Sequence, residues 1–184
     1  AGTASMSIVQ STKNGKPAYR TSLVTRGNHK VDDFFVLRDT LLSYTGTDMS
    51  PMYFRKGARE GKRYTVDEDF YSYSGGKCHV KMHRKHNDGS HSWKKVSYDD
   101  CVFDMLNIFL RARSFDLQLE EGLGVKFPIV DGDGRTPAQI KFAGRETIKA
   151  DNGVKYRCLR LAYQEYEKGK YKRIVDFYLS LIHI

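Results

Sequence analysis

The sequence predicts a mainly β protein, in which a curved antiparallel meander sheet, an open or half barrel, carries one amphipathic helix on its concave face. Three observations predict this fold class. Apolar and polar residues alternate with a period of two, glycine turns separate the alternating segments, and one segment near residue 105 has helical spacing instead. The 184 residues correspond to about one domain, and no apolar run reaches the roughly 18 residues of a membrane-spanning helix.

Turn signals divide the chain into short segments, which is typical of hairpins joined in sequence order. They lie at Asn14-Gly15-Lys16-Pro17, near Gly27, and at Gly46, Glu60-Gly61, Ser74-Gly75-Gly76, Asn87-Asp88-Gly89, Asp131–Gly134, Asp151-Asn152-Gly153 and Gly169. The signal at Asp131–Gly134 begins like a calcium loop. Arg135 and Phe142 stand at ligand positions of that loop, so a turn is expected there.

Two segments show the strand pattern clearly. In residues 77–85, Cys78, Val80 and Met82 alternate with lysine and histidine, which predicts one apolar and one solvated face. Residues 62–73 repeat the pattern, with an apolar set on one side and a polar set on the other. The apolar set is Tyr64, Val66 and Phe70, and the polar set is Thr65, Asp67 and Asp69.

The helix is predicted over about residues 100–113. Its apolar stripe consists of Val102, Met105, Leu106, Phe109 and Leu110. Asp99 or Asp100 is predicted to cap the start, and Arg111 and Arg113 suit the negative end of the helix dipole. Such a stripe needs an apolar surface to pack against, and the apolar face of the sheet is the only large candidate.

The formal net charge of +9 is concentrated in one part of the chain, because Arg55–Lys95 holds 11 bases and 5 acids. The excess favours anionic lipid headgroups, phosphate backbones or an acidic protein as partners, and a solvated basic face is the ordinary alternative. The predicted basic docking surface comprises Lys77, Lys81, Arg84 and Lys85. Nucleic acid is not expected as a partner, because no nucleic-acid-binding motif accompanies the charge.

No catalytic, metal or cofactor site is predicted. His79, His83, His86 and His91 cluster around one hairpin. His79 and His83, however, are about 13 Å apart along a strand, too far for one ion unless a partner strand closes in. Phosphate-binding glycine loops, nucleophile elbows and H-E-x-x-H motifs are missing from the sequence, so a non-enzymatic protein without a cofactor is predicted.

The three cysteines, Cys78, Cys101 and Cys158, match neither a disulfide framework nor a zinc motif. Small buried thiols are the expected role. If the protein is exported, a single Cys78–Cys101 or Cys101–Cys158 bridge is the alternative, and the spacing does not choose between the two.

Both ends are interpreted as cut. Residues 179–184 are also the translation of a sequencing-library transposon end, so they are interpreted as non-native and a single domain is predicted over residues 1–178. Ala1 has no methionine before it and begins directly in an alternating segment, so the gene is expected to be longer at both ends.

Several motifs together resemble a known family. They are the stretch Val31–Asp39, Ser43-Tyr44, Pro51, Tyr53, Arg55, Glu60-Gly61 and Tyr64, then Asp104-Met105-Leu106 ending in Arg113 and Asp116, and finally Gly144–Ile148 with Gly153, Tyr156 and Cys158. This set resembles the bacterial exported family catalogued as domain of unknown function 3108. The second group is similar to that family's single helix, and the third to its following hairpin.

The resemblance implies an exported protein of the Gram-negative cell envelope, in the periplasm or associated with the outer membrane, and a fold similar to open-barrel lipoprotein carriers. The polar residues of the family motif are Asp32, Arg38, Asp39, Arg55 and Glu60. A structural ion pair is the expected role of Arg38 and Asp39, with Arg55 or Glu60 as partners. The alternative is that these polar groups line the mouth of a cavity.

The resulting functional hypothesis is a non-enzymatic envelope protein that binds a lipid or a lipoprotein acyl chain in an apolar groove. Met105, Leu106, Phe109 and Leu110 would line this groove. The basic surface would dock on an anionic membrane. The alternative is a packed structural or interaction module of the cell surface without a small ligand. The sequence leaves the oligomeric state open.

Overall fold

The computed structural model of the protein describes residues 3–26, 37–114, 122–131, 134–150 and 152–180. The chain divides into two compact units, Ala1–Leu110 and Arg111–Ile184. The predicted turn at Gly27 and most of the first family motif, including Asp32, lie outside the described residues.

The first unit contains a seven-stranded antiparallel sheet whose spatial order follows the sequence from β1 to β7. Its strands are β1 (Thr3–Lys13), β2 (Lys16–Arg26), β3 (Leu37–Gly46), β4 (Pro51–Glu60), β5 (Arg63–Ser74), β6 (Lys77–Lys85) and β7 (His91–Tyr98). Each strand pairs with the next one along the chain, because short turns join antiparallel neighbours without a crossover.

The second unit contains a four-stranded antiparallel sheet, again with neighbours in sequence order. Its strands are β8 (Gly124–Asp131), β9 (Gly134–Lys149), β10 (Lys155–Glu167) and β11 (Lys170–Ser180). Leu179 and Ser180, which the sequence assigned to a non-native end, continue β11 opposite Leu159 and Cys158. Residues 181–184 lie outside the described part of the chain.

The predicted fold class is confirmed. The described residues are mainly β, the sheets are antiparallel and not closed, and one short helix is present. The structure adds that the strands belong to two sheets, which the helical segment separates along the chain.

The turn between β1 and β2 shows how the sequence determines the register of a hairpin. Asn14 and Gly15 both have positive φ, 52° and 73°. Two successive residues of this kind match the right-handed twist of the flanking strands. The turn therefore places Lys13 opposite Lys16, and the register continues to Thr3 opposite Arg26.

Replacing Gly15 with alanine is expected to lower the free energy of unfolding by about 1 kcal/mol. A Cβ at Gly15 has no atom within 4 Å, so the expected loss comes from the backbone conformation alone. Gly134→Ala is the control, because that glycine is equally uncrowded and lacks a positive φ. Urea denaturation measures both variants, and an equal loss in the two would contradict this explanation.

The helix α1 (Met105–Arg111) continues into a 3-10 turn, Ala112–Ser114. The prediction that it begins near residue 100, capped by Asp99 or Asp100, is wrong. Asp104 is the cap, since its Oδ1 accepts hydrogen bonds from the backbone N–H groups of Leu106 and Asn107 at 2.9 and 2.7 Å. Asp99 instead pairs with Lys77 on the surface.

Hydrogen bonds attach the helix to one face of the seven-stranded sheet. Ser43 donates to Asp104 at 2.8 Å, and the Asn107 amide donates to Thr45 Oγ1 at 3.0 Å. Ser43 and Thr45 lie on the same side of β3, and we call this side of the sheet the helix face. The opposite side, the open face, carries the exposed side chains of Phe70 and Trp93.

Burial follows the predicted alternation in β6 but only in part in β5, where Val66 is buried as expected and Tyr64 and Phe70 are exposed. Cys78, Val80 and Met82 are buried on the helix face. In β5, however, the helix face carries Asp69 and Tyr71, and both are buried. The expectation of a solvated Asp69 is wrong because the register places this residue opposite Met82, next to the core.

Candidate functional site

A continuous row of aromatic rings crosses the open face of the first unit. The rings, which we call the aromatic row, belong to Tyr44, Tyr53, Phe70, Trp93, His83 and His91. Neighbouring ring centroids are 4.1 to 6.4 Å apart. The row arises because residues of matching parity on β3 to β7 point to the same side of the sheet.

Lysines surround the exposed end of this row. Lys81 Nζ lies 4.3 Å from the Trp93 ring centroid, a cation–π distance, and Trp93 is 54% exposed. Lys95 stands directly opposite Lys81 across β6 and β7, and Lys85 stands opposite His91. Like charges in directly opposed positions repel each other, so this surface favours an anion between them.

The row also contains a hydrogen-bonded chain of titratable groups. Tyr53 donates to Glu68 Oε1, and His83 Nδ1 lies 2.8 Å from Glu68 Oε2. His83 Nε2 lies 2.7 Å from His91 Nδ1. With its proton on Nδ1, a neutral His83 donates to Glu68 and accepts from His91. The chain therefore holds the His83 ring flat against Trp93.

Glu68 is the acidic member of this chain. Burial alone would raise its pKa, but the hydrogen bonds from Tyr53 and His83 outweigh burial and hold the pKa below the ordinary value. Burial, together with the bond to Glu68, raises the pKa of Tyr53. At neutral pH Glu68 is thus ionised and hydrogen-bonded to Tyr53.

The structure separates the predicted basic docking residues. Lys77, Lys81 and Lys85 lie on the open face and are exposed. Lys77 is paired with Asp99 at 2.8 Å. Arg84 lies on the helix face, where it bonds to Asp67 at 2.5 Å. The alternation in β6 makes this division unavoidable, because residue 84 has the parity of Met82.

The histidines of the hairpin do not converge on one point. His79 lies between Ser74 and Ser97, within 2.9 and 2.7 Å of their hydroxyls, and His83 contacts His91 instead. Among the residues that the structure describes, no group of three or more His, Cys, Asp or Glu side chains is arranged to hold a metal ion.

The predicted groove residues differ in exposure. Leu106 is completely buried and Leu110 nearly so, whereas Met105 and Phe109 are half-buried. The buried side of α1 also includes Asn107 and Ile108. A ligand on the helix would therefore meet Met105 and Phe109, and reaching Leu106 would require the helix to move.

A buried polar cluster lies between the helix and the sheet. Burial raises the pKa of Asp104 to about 7, although hydrogen bonds from Asn107, Ser43 and Leu106 favour its charged form. Tyr71 lies close enough for its pKa to be raised as well, chiefly by its own burial and then by the Asp104 charge. Ser43 and Asp104 have the hydrogen-bonding geometry of a nucleophile and a base, but both are completely buried.

Asp39 does not form the expected ion pair with Arg55. Asp39 stands opposite Ala58, so these two side chains share one side of the sheet. Arg55 is three residues before Ala58 on the same strand, so its side chain points to the other side. One buried oxygen of Asp39 has no hydrogen-bond partner among the described residues. Arg55 lies 3.4 Å from the Tyr64 hydroxyl, and Glu60 is exposed at the end of β4. For Arg38 the structure describes the backbone, which stands opposite Arg59.

Sequence reasoning did not identify Tyr44, Phe70 or Lys95 as members of one surface. The alternation in β5 assigned Phe70 to a face, and this signal was available from the sequence. The adjacency of Phe70 to Tyr53 and Trp93 depends on the registers of three hairpins. A period-two pattern alone does not provide those registers.

Comparisons with known proteins yield one family. The family model described as protein of unknown function, DUF3108, matches residues 1–183. Neither the curated proteins nor the solved structures include a match to this chain. None of the helices in the described parts of the chain has the length and apolar character needed to cross a membrane.

Proposed function

The chain belongs to the DUF3108 family of unknown function, and we propose that it is a non-enzymatic, exported cell-envelope protein that docks on anionic amphiphiles. The docking surface would be the open face of the first unit around Trp93. The observation that carries this proposal is the exposed Trp93 ring, which lies against Lys81 and stacks on Phe70 within the aromatic row.

The chemistry of this surface suits the boundary between lipid and water. Tryptophan prefers the level of the headgroups, because its ring is apolar and its N–H is polar. Lysines keep their charge in water while their stems cover apolar surface. Each basic residue near an anionic surface contributes about 1 kcal/mol of attraction. Lys81, Lys85 and Lys95 are all exposed on the open face.

Docking on a surface accounts for the geometry better than enclosure of an acyl chain in a groove at the helix. Leu106 and Leu110 are core residues, so such a groove would have to form by displacing α1. A non-enzymatic role agrees with the burial of the Ser43–Asp104 pair, which no substrate reaches in this conformation. The expected location in the envelope comes from the family resemblance.

Vesicle binding tests the docking proposal directly, because Trp93 is the single tryptophan of the chain. Vesicles of phosphatidylglycerol and phosphatidylcholine should shift the fluorescence of Trp93 to shorter wavelength, whereas phosphatidylcholine alone should not. Lys81→Gln/Lys95→Gln should weaken binding about 30-fold, and salt should weaken binding of the unaltered protein.

The matched control is Lys155→Gln/Lys170→Gln, which removes the same charge from exposed positions of the four-stranded sheet. It should bind almost as tightly as the unaltered protein. Equal weakening in both variants, or binding without a shift in Trp93 fluorescence, would contradict docking through this face.

Native mass spectrometry after gentle purification distinguishes docking on the open face from lipid binding in a groove at the helix. Docking predicts that the protein is recovered without a stoichiometric lipid. A stoichiometric amphiphile that co-purifies, and that is lost when Phe109 is replaced by glutamate, would overturn the proposal in favour of the groove.

A further inference from the structure

Two of the three cysteines line the same cleft in the first unit. Cys78 is the second residue of β6, and Cys101 lies three residues after the end of β7. Both line a cleft of about 390 Å³, together with Tyr73, Lys77 and Asp99. All three cysteines of the chain are free in this structure.

Backbone geometry brings the two thiols close together. The backbone N–H of Val102, the residue after Cys101, hydrogen-bonds to the Cys78 sulfur. The Val102 nitrogen is separated from the Cα of Cys101 by one carbonyl carbon, so the Cys78 sulfur lies close to the backbone of Cys101. The ion pair between Lys77 and Asp99, 2.8 Å long, joins the same two segments.

We propose that Cys78 and Cys101 are a redox-active pair that closes into an intramolecular disulfide. The two thiols differ as such a pair requires. Cys101 is exposed, while Cys78 is 2% exposed. Burial raises the pKa of the Cys78 thiol, so Cys101 is the first to react with an oxidant in solution.

The reaction needs a disulfide oxidant, either a small disulfide such as oxidised glutathione or the disulfide form of a thiol oxidoreductase. The Cys101 thiolate attacks one sulfur of the oxidant, and the first thiol leaves. The Cys78 thiolate then attacks the Cys101 sulfur and expels the second thiol. The protein loses two protons and two electrons, and one oxidant disulfide is reduced to two thiols.

Cys158 has a different environment. It belongs to the second unit, is buried in β10, and donates to the Tyr156 carbonyl at 3.6 Å. We therefore expect Cys158 to remain a thiol when the pair closes. Of the two bridges that the cysteine spacing allowed, the structure favours Cys78–Cys101.

Closure should stabilise the first unit. The bridge would link the start of β6 to the segment that leads into α1, and it would close a loop of about 24 residues, including both cysteines. For a chain of this length, a bridge of that span should raise Tm by about 5 to 10 °C. Differential scanning of the reduced and oxidised protein measures this shift.

Oxidised glutathione and the purified full chain provide the decisive experiment. The mass of the intact protein should fall by two hydrogen atoms, and peptide mapping without reductant should identify a Cys78–Cys101 linkage. One thiol should remain when the oxidised protein is titrated in denaturant. Cys158→Ser should lose the same mass as the unaltered chain and retain no thiol.

Cys101→Ser is the critical variant, because Cys101 is exposed and serine differs from cysteine only in its Oγ. It should show no loss of two hydrogen atoms and no rise in Tm. A stable glutathione adduct on Cys101 of the unaltered chain, a linkage that includes Cys158, or a disulfide between two chains would each overturn the proposal.

Discussion

Replacing Asp104 with alanine should lower the free energy of unfolding by about 3 kcal/mol at pH 5. The variant loses the helix cap, because Asp104 Oδ1 accepts the N–H groups of Leu106 and Asn107. It also leaves the buried Ser43 hydroxyl without its acceptor at 2.8 Å. Losing the cap costs about 1 kcal/mol, and stranding a buried hydroxyl costs about 2 kcal/mol more.

Urea denaturation followed by circular dichroism measures this loss. Asp99→Ala is the matched control, since its carboxylate is exposed and pairs with Lys77 on the surface. That variant should unfold at nearly the same urea concentration as the unaltered chain. Equal losses in the two variants would mean that Asp104 does not cap α1.

The free energy of unfolding should fall as pH rises, because of the same aspartate. Burial raises the pKa of Asp104 from 3.8 to about 7, so between these values the folded state holds a proton that the unfolded state has released. The contribution of Asp104 to the free energy of unfolding is fully present below pH 4 and is lost as pH rises towards 7. The loss should be on the order of a few kcal/mol.

Asp104→Asn isolates this effect, because the amide keeps an oxygen for the two N–H groups of the helix and does not titrate. Relative to the unaltered chain, the asparagine variant should become more stable as pH rises from 4 to 7. A difference between the two proteins that stays constant with pH would contradict a raised pKa at Asp104.

Leu106→Ala should have the second large effect, a loss of about 2 to 5 kcal/mol. Leu106 is completely buried, so truncating it removes apolar contacts and leaves a cavity. Met105→Ala is the control, because Met105 is half-buried and should lose about 1 kcal/mol. Thermal and urea unfolding measure both variants.

The same pair of variants also bears on the groove hypothesis. A loss below about 0.5 kcal/mol for Leu106→Ala would show that this side of α1 is loosely packed. The acyl-chain groove would then regain support over docking on the open face. A full loss would place Leu106 in the core of the first unit.

Much of the local structure was predictable from particular residues. Asn14-Gly15-Lys16-Pro17 indicated a hairpin turn, and the structure gives Asn14 and Gly15 positive φ. The alternation of Cys78, Val80 and Met82 with lysine and histidine indicated the buried side of β6. These features depend on neighbours in sequence, so the residues themselves carry the information.

The candidate site was only partly predictable. Lys81 and Lys85 were identified as docking residues, and both lie on the open face. Arg84 was included although its parity placed it on the helix face, where it bonds to Asp67. The neighbours of Trp93 in the aromatic row, Phe70 and His83, come from other strands.

In the described part of the chain, the sequence by itself determined the fold class, the hairpin turns and the amphipathic helix near residue 105, because each depends on a periodic or local pattern. Tertiary structure alone decided which aspartate caps that helix, since Asp99, Asp100 and Asp104 are all chemically suitable. It also decided that Cys78 and Cys101 line one cleft and that six rings form one row. These contacts depend on strand register and on the return of the chain after β7, and residues distant in sequence set both.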